Sequence, residues 1–120
     1  MLFINVLGKV GQNLDLKFKK WEVVTVNEEK PCPRMDHSFN IINKRGIAVL
    51  AGGVDQYGER LTDIWILDLM RLNWSRVSTQ PKIEESIGPM ACHSACAVGS
   101  IVYFYNGNAE RKREKAFWAL

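Results

Sequence analysis

The sequence predicts an all-β chain built from repeated four-stranded units, and three observations carry that expectation. The first is a register. The four tryptophans form two pairs with one offset, Trp21 to Trp74 and Trp65 to Trp118, both 53 residues apart. The same offset lays Leu14-Asp15-Leu16 on Leu67-Asp68-Leu69 and Val24 on Val77, while His37-Ser38 recurs as His93-Ser94 at an offset of 56. Fixed spacing at the tryptophans with compensating loop lengths marks a structural repeat, and a period of about 50 residues belongs to blade-type arrays. The second observation is a succession of short apolar runs, bounded by turn residues, at intervals of about 10 residues. The third is that no stretch carries a helical apolar period over three turns.

Each strand of the full repeat has its own reason. His37-Ser38-Phe39-Asn40-Ile41-Ile42 alternates imperfectly and stops at Asn43-Lys44-Arg45-Gly46, which suits a four-residue hairpin connection. Ile47-Ala48-Val49-Leu50-Ala51 is apolar throughout, as expected of a strand covered on both faces. Gly52-Gly53 ends that run, where a bend or a close backbone approach needs a residue without Cβ. After a polar loop at 54–62, Asp63-Ile64-Trp65-Ile66-Leu67-Asp68-Leu69 reads as a third strand rich in β-formers. Trp74-Ser75-Arg76-Val77-Ser78 is the fourth.

The next unit repeats the order with altered words. Cys92 to Val98 leads through Gly99-Ser100 to Ile101-Val102-Tyr103-Phe104-Tyr105, Asn106-Gly107 stands where the glycine doublet stood, and Ala116-Phe117-Trp118 matches the third strand. The organisation expected is an unassigned partial-strand region at 1–13, a partial repeat at 14–31, a full repeat at 32–80 and a second partial repeat at 81–120.

Pro33-Arg34-x-x-His37-Ser38, the apolar strand closed by Gly52-Gly53, Asp63-Ile64-Trp65-x-x-Asp68-Leu69 and the closing Trp74 together resemble the kelch repeat. The resemblance spans about residues 14–120, with Met90 in place of the arginine and Asn106 in place of the first glycine in the second unit. It implies four-stranded antiparallel blades of a β-propeller. Such a ring needs at least about four blades of ~50 residues, or some 200 residues. The 120 residues here would not close it alone, so a fragment of about two blades is expected, with the other blades of a larger propeller as its partners. In this family His37, Gly52, Gly53, Trp65, Trp74, His93, Gly107 and Trp118 occupy structural repeat positions.

Composition narrows the chemistry. With 47% hydrophobic and 24% charged residues the chain reads as soluble and folded. The early apolar stretch at 2–7 is far short of a membrane span and lacks the marks of a secretory signal. A net charge of +3 does not by itself call for a nucleic acid or a membrane as partner. Three cysteines, an odd and low number, fit a reducing compartment, with the cytoplasm as the expected location and the nucleus as the second.

Candidate sites are few. Cys32, His37, Cys92, His93 and Cys96 lack the paired Cys-x-x-Cys spacing of a zinc centre, and the cysteines read more simply as small buried side chains. The histidines read as structural, hydrogen-bonded near the blade. Ser38 and Ser94 sit beside histidines on strands, where adjacent residues point to opposite faces, so no hydrolytic triad is expected. Asp15, Asp63 and Asp68 at strand ends suit turns and backbone bonding. The basic run Arg111-Lys112-Arg113 is interrupted by Glu110 and Glu114 and reads as a solvated loop tip, as does Glu84-Glu85. No enzyme, metal or other cofactor is expected.

What the resemblance implies instead is a protein-interaction module of the adaptor or substrate-receptor kind, often found in ubiquitin-ligase complexes, binding a protein or peptide ligand with its inter-strand loops. Two further roles known in such proteins are an actin-associated scaffold and a copper oxidase; for the latter, Tyr57, Tyr103 and Tyr105 form no ligand pattern with histidine. Arg34 matches an arginine that lines the central pocket of peptide-binding relatives and would grip carboxylates there with its planar fork. Gln56, Tyr57 and Arg60, in the loop after Gly53, are the other expected partner contacts.

Overall fold

A computed structural model of the protein describes residues 11–15, 20–78, 89–105 and 117–119. Its strands are β1 (Gly11–Asp15), β2 (Lys20–Val24), β3 (Arg34–Met35), β4 (Ser38–Ile42), β5 (Ile47–Ala51), β6 (Val54–Asp55), β7 (Ile64–Asp68), β8 (Asn73–Arg76), β9 (Ser94–Val98), β10 (Ile101–Tyr105) and β11 (Phe117–Ala119). Every pairing among them is antiparallel, and no sheet among the described residues closes on itself.

The full repeat forms one four-stranded sheet in the order β4-β5-β7-β8. Side chains alternate between its faces, as the pleat demands. Ala48, Leu50, Trp65, Leu67 and Trp74 are buried on one face, with Phe39, Leu69 and Val26 against them. Val49, Ala51 and Ile64 look the other way, into a second core shared with Ile42, Met90, Val102 and Phe104. The uninterrupted apolar run of β5 is therefore explained by two cores, one on each side of the strand. Burying each large aliphatic side chain contributes roughly 1.5–3 kcal/mol, so the blade holds together through its faces.

Turns at the far end are built from backbone bonds. Residues Asn43–Arg45 form a 3-10 turn closed by Gly46 at φ 61°, whose N–H donates to the Asn43 carbonyl. Asp68 Oδ1 accepts the N–H groups of Met70 and Arg71 at 2.9 Å each and shapes the β7–β8 connection.

The repeat register is physical. Leu67 stands opposite Trp74 between β7 and β8, and Leu14 stands opposite Trp21 between β1 and β2. Likewise Leu50 faces Trp65 between β5 and β7, and Phe104 faces Trp118 between β10 and β11. Thus β1–β2 repeats the last two strands of the blade, and β9-β10-β11 repeats its first three. The first strand begins at Gly11, inside the stretch that carried no strand pattern in the sequence.

Two expectations need correction. The cysteines are not small buried side chains: Cys32, Cys92 and Cys96 are free and exposed. Cys96 projects from the outward face of β9, Cys92 occupies a left-handed turn at φ 54°, and Cys32 lies in the approach to β3. Asp63 serves a side-chain ion pair rather than a turn. The β3–β6 pairing, Arg34 with Asp55 and Met35 with Val54, had no sequence signal. Gly107 and the charged stretches at 84–85 and 110–115 lie outside the described residues.

Candidate functional site

At the end of the blade where β4 and β7 begin and β5 stops, three loops gather: 31–37, 52–63 and 89–93. The glycine doublet lets them meet. Gly52 (φ 61°) and Gly53 (φ 101°) hold backbone conformations that disfavour a side chain. A Cβ on Gly52 would run into the Met90 carbonyl and come within 3.2 Å of His93 Cε1; one on Gly53 would lie 2.6 Å from the Met35 carbonyl. In the space so freed, Gly53 N–H donates to Met90 O (2.6 Å), Met90 N–H to Leu61 O (3.1 Å) and Cys92 N–H to Asp36 O (3.1 Å). The loops form one hydrogen-bonded platform across the junction between two blades.

Beneath the platform lies Arg34, only 1% exposed. Its Nη1 and Nη2 donate to Asp63 Oδ1 (2.5 Å) and Oδ2 (2.8 Å), Nη1 also reaches Gly52 O (3.1 Å), and Nε donates to Cys32 O (3.2 Å). Asp63 Oδ2 in turn accepts the Trp65 indole N–H at 2.6 Å. Burial acts to raise the Asp63 pKa, but the Arg34 and Trp65 bonds outweigh it and hold the carboxyl below its ordinary value. The guanidinium points inward and its donors are engaged within its own blade, so in this structure a partner's carboxylate has no route to it.

Gln56, Tyr57 and Arg60 stand at the top of the platform. Asp55 organises them: its Oδ1 accepts the N–H groups of Tyr57 and Glu59 at 2.9 Å each, and its carbonyl accepts that of Gly58. Val54 and Arg60 bridge to close the loop. Tyr57 is 81% exposed and Met35, on the neighbouring β3, is 50% exposed.

Of the other repeat residues, His37, His93, Trp65 and Trp74 have side chains that the structure describes. His37 and His93 flank the glycine doublet at the blade junction, and His93 Nε2 lies 2.7 Å from Ser38 Oγ. Trp65 and Trp74 are buried on the opposite face of the blade, where the Phe39 ring lies tilted against Trp74. Asp55 and Asp63 do not stand out as site residues in the sequence. The one available hint is general: a buried arginine must find a carboxylate. Among the described residues no group of three or more His, Cys, Asp or Glu side chains could hold a metal ion.

Comparison with known proteins agrees with this architecture. The family model for the KLHDC2/KLHL20/DRC7 Kelch-repeats domain matches residues 11–120, and the chain belongs to the kelch-repeat family. Similar proteins include acyl-CoA-binding domain-containing protein 5 of Arabidopsis thaliana, 29% identical over 94 residues, covering 78% of this chain and 14% of that protein. Human host cell factor 2 is 28% identical over 100 residues, covering 78% of this chain and 12% of that protein. The Caenorhabditis elegans host cell factor homolog hcf-1 is 30% identical over 90 residues, covering 72% and 11%. The matched part is thus a small fraction of each of these relatives.

Proposed function

We propose that this chain is a protein-binding segment of a kelch propeller, acting as an adaptor or substrate receptor, and that it meets its partner with the platform capped by residues 54–60. The observation that carries the reading is Tyr57, an aromatic side chain left 81% exposed on a loop that the Asp55 carboxylate braces through two backbone N–H groups. An exposed aromatic on a preorganised loop loses little entropy on binding and has a large surface to bury. Met35 beside the loop adds a flexible apolar contact, and Gln56 and Arg60 supply polar ones.

A further blade of the same protein is the second partner we propose. The outward side of β9 and β10 exposes Val98, Ile101 and Tyr105. It corresponds in the repeat to the β4–β5 face that receives β9 and β10. The three free thiols suit the cytoplasm or nucleus as location.

The test is affinity purification of the full-length protein as wild type, Tyr57→Ser and Met70→Ser. Met70 is comparably exposed (88%) but sits in the β7–β8 turn at the other end. Partner recovery should fall at least tenfold with Tyr57→Ser and stay unchanged with Met70→Ser; equal recovery from all three proteins would refute the reading.

A further inference from the structure

The chain has two histidines, 56 residues apart in sequence, and the fold brings both to one place. Each lies against the glycine doublet: His37 Cβ is 3.0 Å from where a Gly53 Cβ would stand, and His93 Cε1 is 3.2 Å from the same point on Gly52. His93 comes from the second blade and reaches Ser38 Oγ of the first at 2.7 Å, with its ring tilted against Phe104 at 6.0 Å. The Nδ1 atoms of both imidazoles are buried without a hydrogen-bond partner. A protonated imidazole must donate from both nitrogens; the Nδ1 of His93 has no acceptor, and at His37 a bond to the Arg34 backbone favours the charged ring but is outweighed by burial.

We propose that His37 and His93 make the junction between the two blades a proton-sensitive joint, closed while both rings are neutral and loosened as they take up protons.

The surrounding charges point the same way. Burial is the largest influence on each ring and disfavours the charged form. Arg34 adds positive charge beside His37, its backbone and Asp36 partly oppose that effect, and His37 itself acts against protonation of His93. Of the other ionisable groups nearby, Asp63 is committed to Arg34, while Cys92 lies against Asp36 and Arg60. Both rings therefore hold pKa values below the ordinary 6.5. An unfolded or opened state takes up protons first as the pH falls, so closure weakens from about pH 6.5 down to the depressed native values. The closed-to-open ratio falls by up to about tenfold per pH unit for each ring that titrates.

Hydrogen exchange on the full-length protein tests the joint. Between pH 7.5 and 5.5, after correction for intrinsic rates, the Gly53 and Cys92 amides, which bond across the junction, should lose protection at least tenfold. Amides within β5 should hold theirs more firmly. In His37→Gln/His93→Gln the loss at the junction should shrink to less than threefold. Unchanged wild-type protection, or an equal loss in the double variant, would overturn the proposal. Should the double variant fail to fold, His37→Gln and His93→Gln made singly decide it: each should lessen the loss of protection at the Gly53 and Cys92 amides, and an undiminished loss in both overturns the proposal.

Discussion

Arg34 reaches across 29 residues of sequence to grip Asp63 with both ends of its guanidinium, at 2.5 and 2.8 Å, and Asp63 passes the contact on to the Trp65 indole. Strand β3 is thereby tied to the start of β7, and the β5 terminus joins them through the Gly52 carbonyl. A lysine could not satisfy these partners, since its ammonium has no planar fork. Asp63→Asn should lower stability by about 3–5 kcal/mol, the usual cost of leaving one charge of a buried pair without its partner, and Arg34→Lys, which keeps the charge but loses the fork, should cost less. The double variant should cost less than the sum of the two. Urea midpoints and a double-mutant cycle would measure it.

Acid acts on the same pair at a lower pH than on the histidines. The native Asp63 carboxyl titrates below its ordinary value, so its contribution is complete above that value and disappears as the pH falls below about 4. Acid unfolding should therefore show a component below pH 4 that is lost in Asp63→Asn. Equilibrium unfolding followed by tryptophan fluorescence at pH 3 and pH 5 would resolve it.

The glycines should differ sharply from one another. Gly58 has φ 84° and nothing within 4 Å of where its Cβ would stand, so Gly58→Ala should cost only the left-handed backbone strain of roughly 1–2 kcal/mol. Gly53→Ala adds a collision with the Met35 backbone to the same strain and should cost clearly more, with loss of the Gly53–Met90 bond. Thermal midpoints of the two variants provide the comparison.

Asn27 guards the edge of the blade. Its side-chain amide accepts the Trp74 N–H at 2.6 Å and donates to the Trp74 carbonyl at 2.9 Å, imitating a further strand along β8. Asn27→Ala should cost about 1–3 kcal/mol and expose that edge to pairing with other chains. Faster exchange of the Trp74 amide and concentration-dependent association would report both effects.

How much of this was legible in the sequence follows from range. The tryptophan register appeared because a blade needs the same residue opposite the same partner in each repeat, as Leu14–Trp21 and Leu67–Trp74 show. The four strands of the full repeat were legible from short apolar, β-forming runs and from the turns marked by Gly46 and by Gly52-Gly53. The Arg34–Asp63 pair was not, because nothing local to either residue distinguishes an inward guanidinium from an outward one. The cysteines were misjudged because composition records how often a residue type is buried, while the exposure of Cys96 depends on which face of β9 it occupies. Asn27 was invisible for the same reason as the ion pair, since its partner lies 47 residues away.

The loop platform is the centre of the functional account, and site-specific photocross-linking addresses it most directly. A photoreactive amino acid placed at Tyr57 of the full-length protein in cells should capture a discrete protein partner. The same group at Met70, at the opposite end of the blade, should not. Cross-linking at Met70 alone, or equal cross-linking at both positions, would contradict the account.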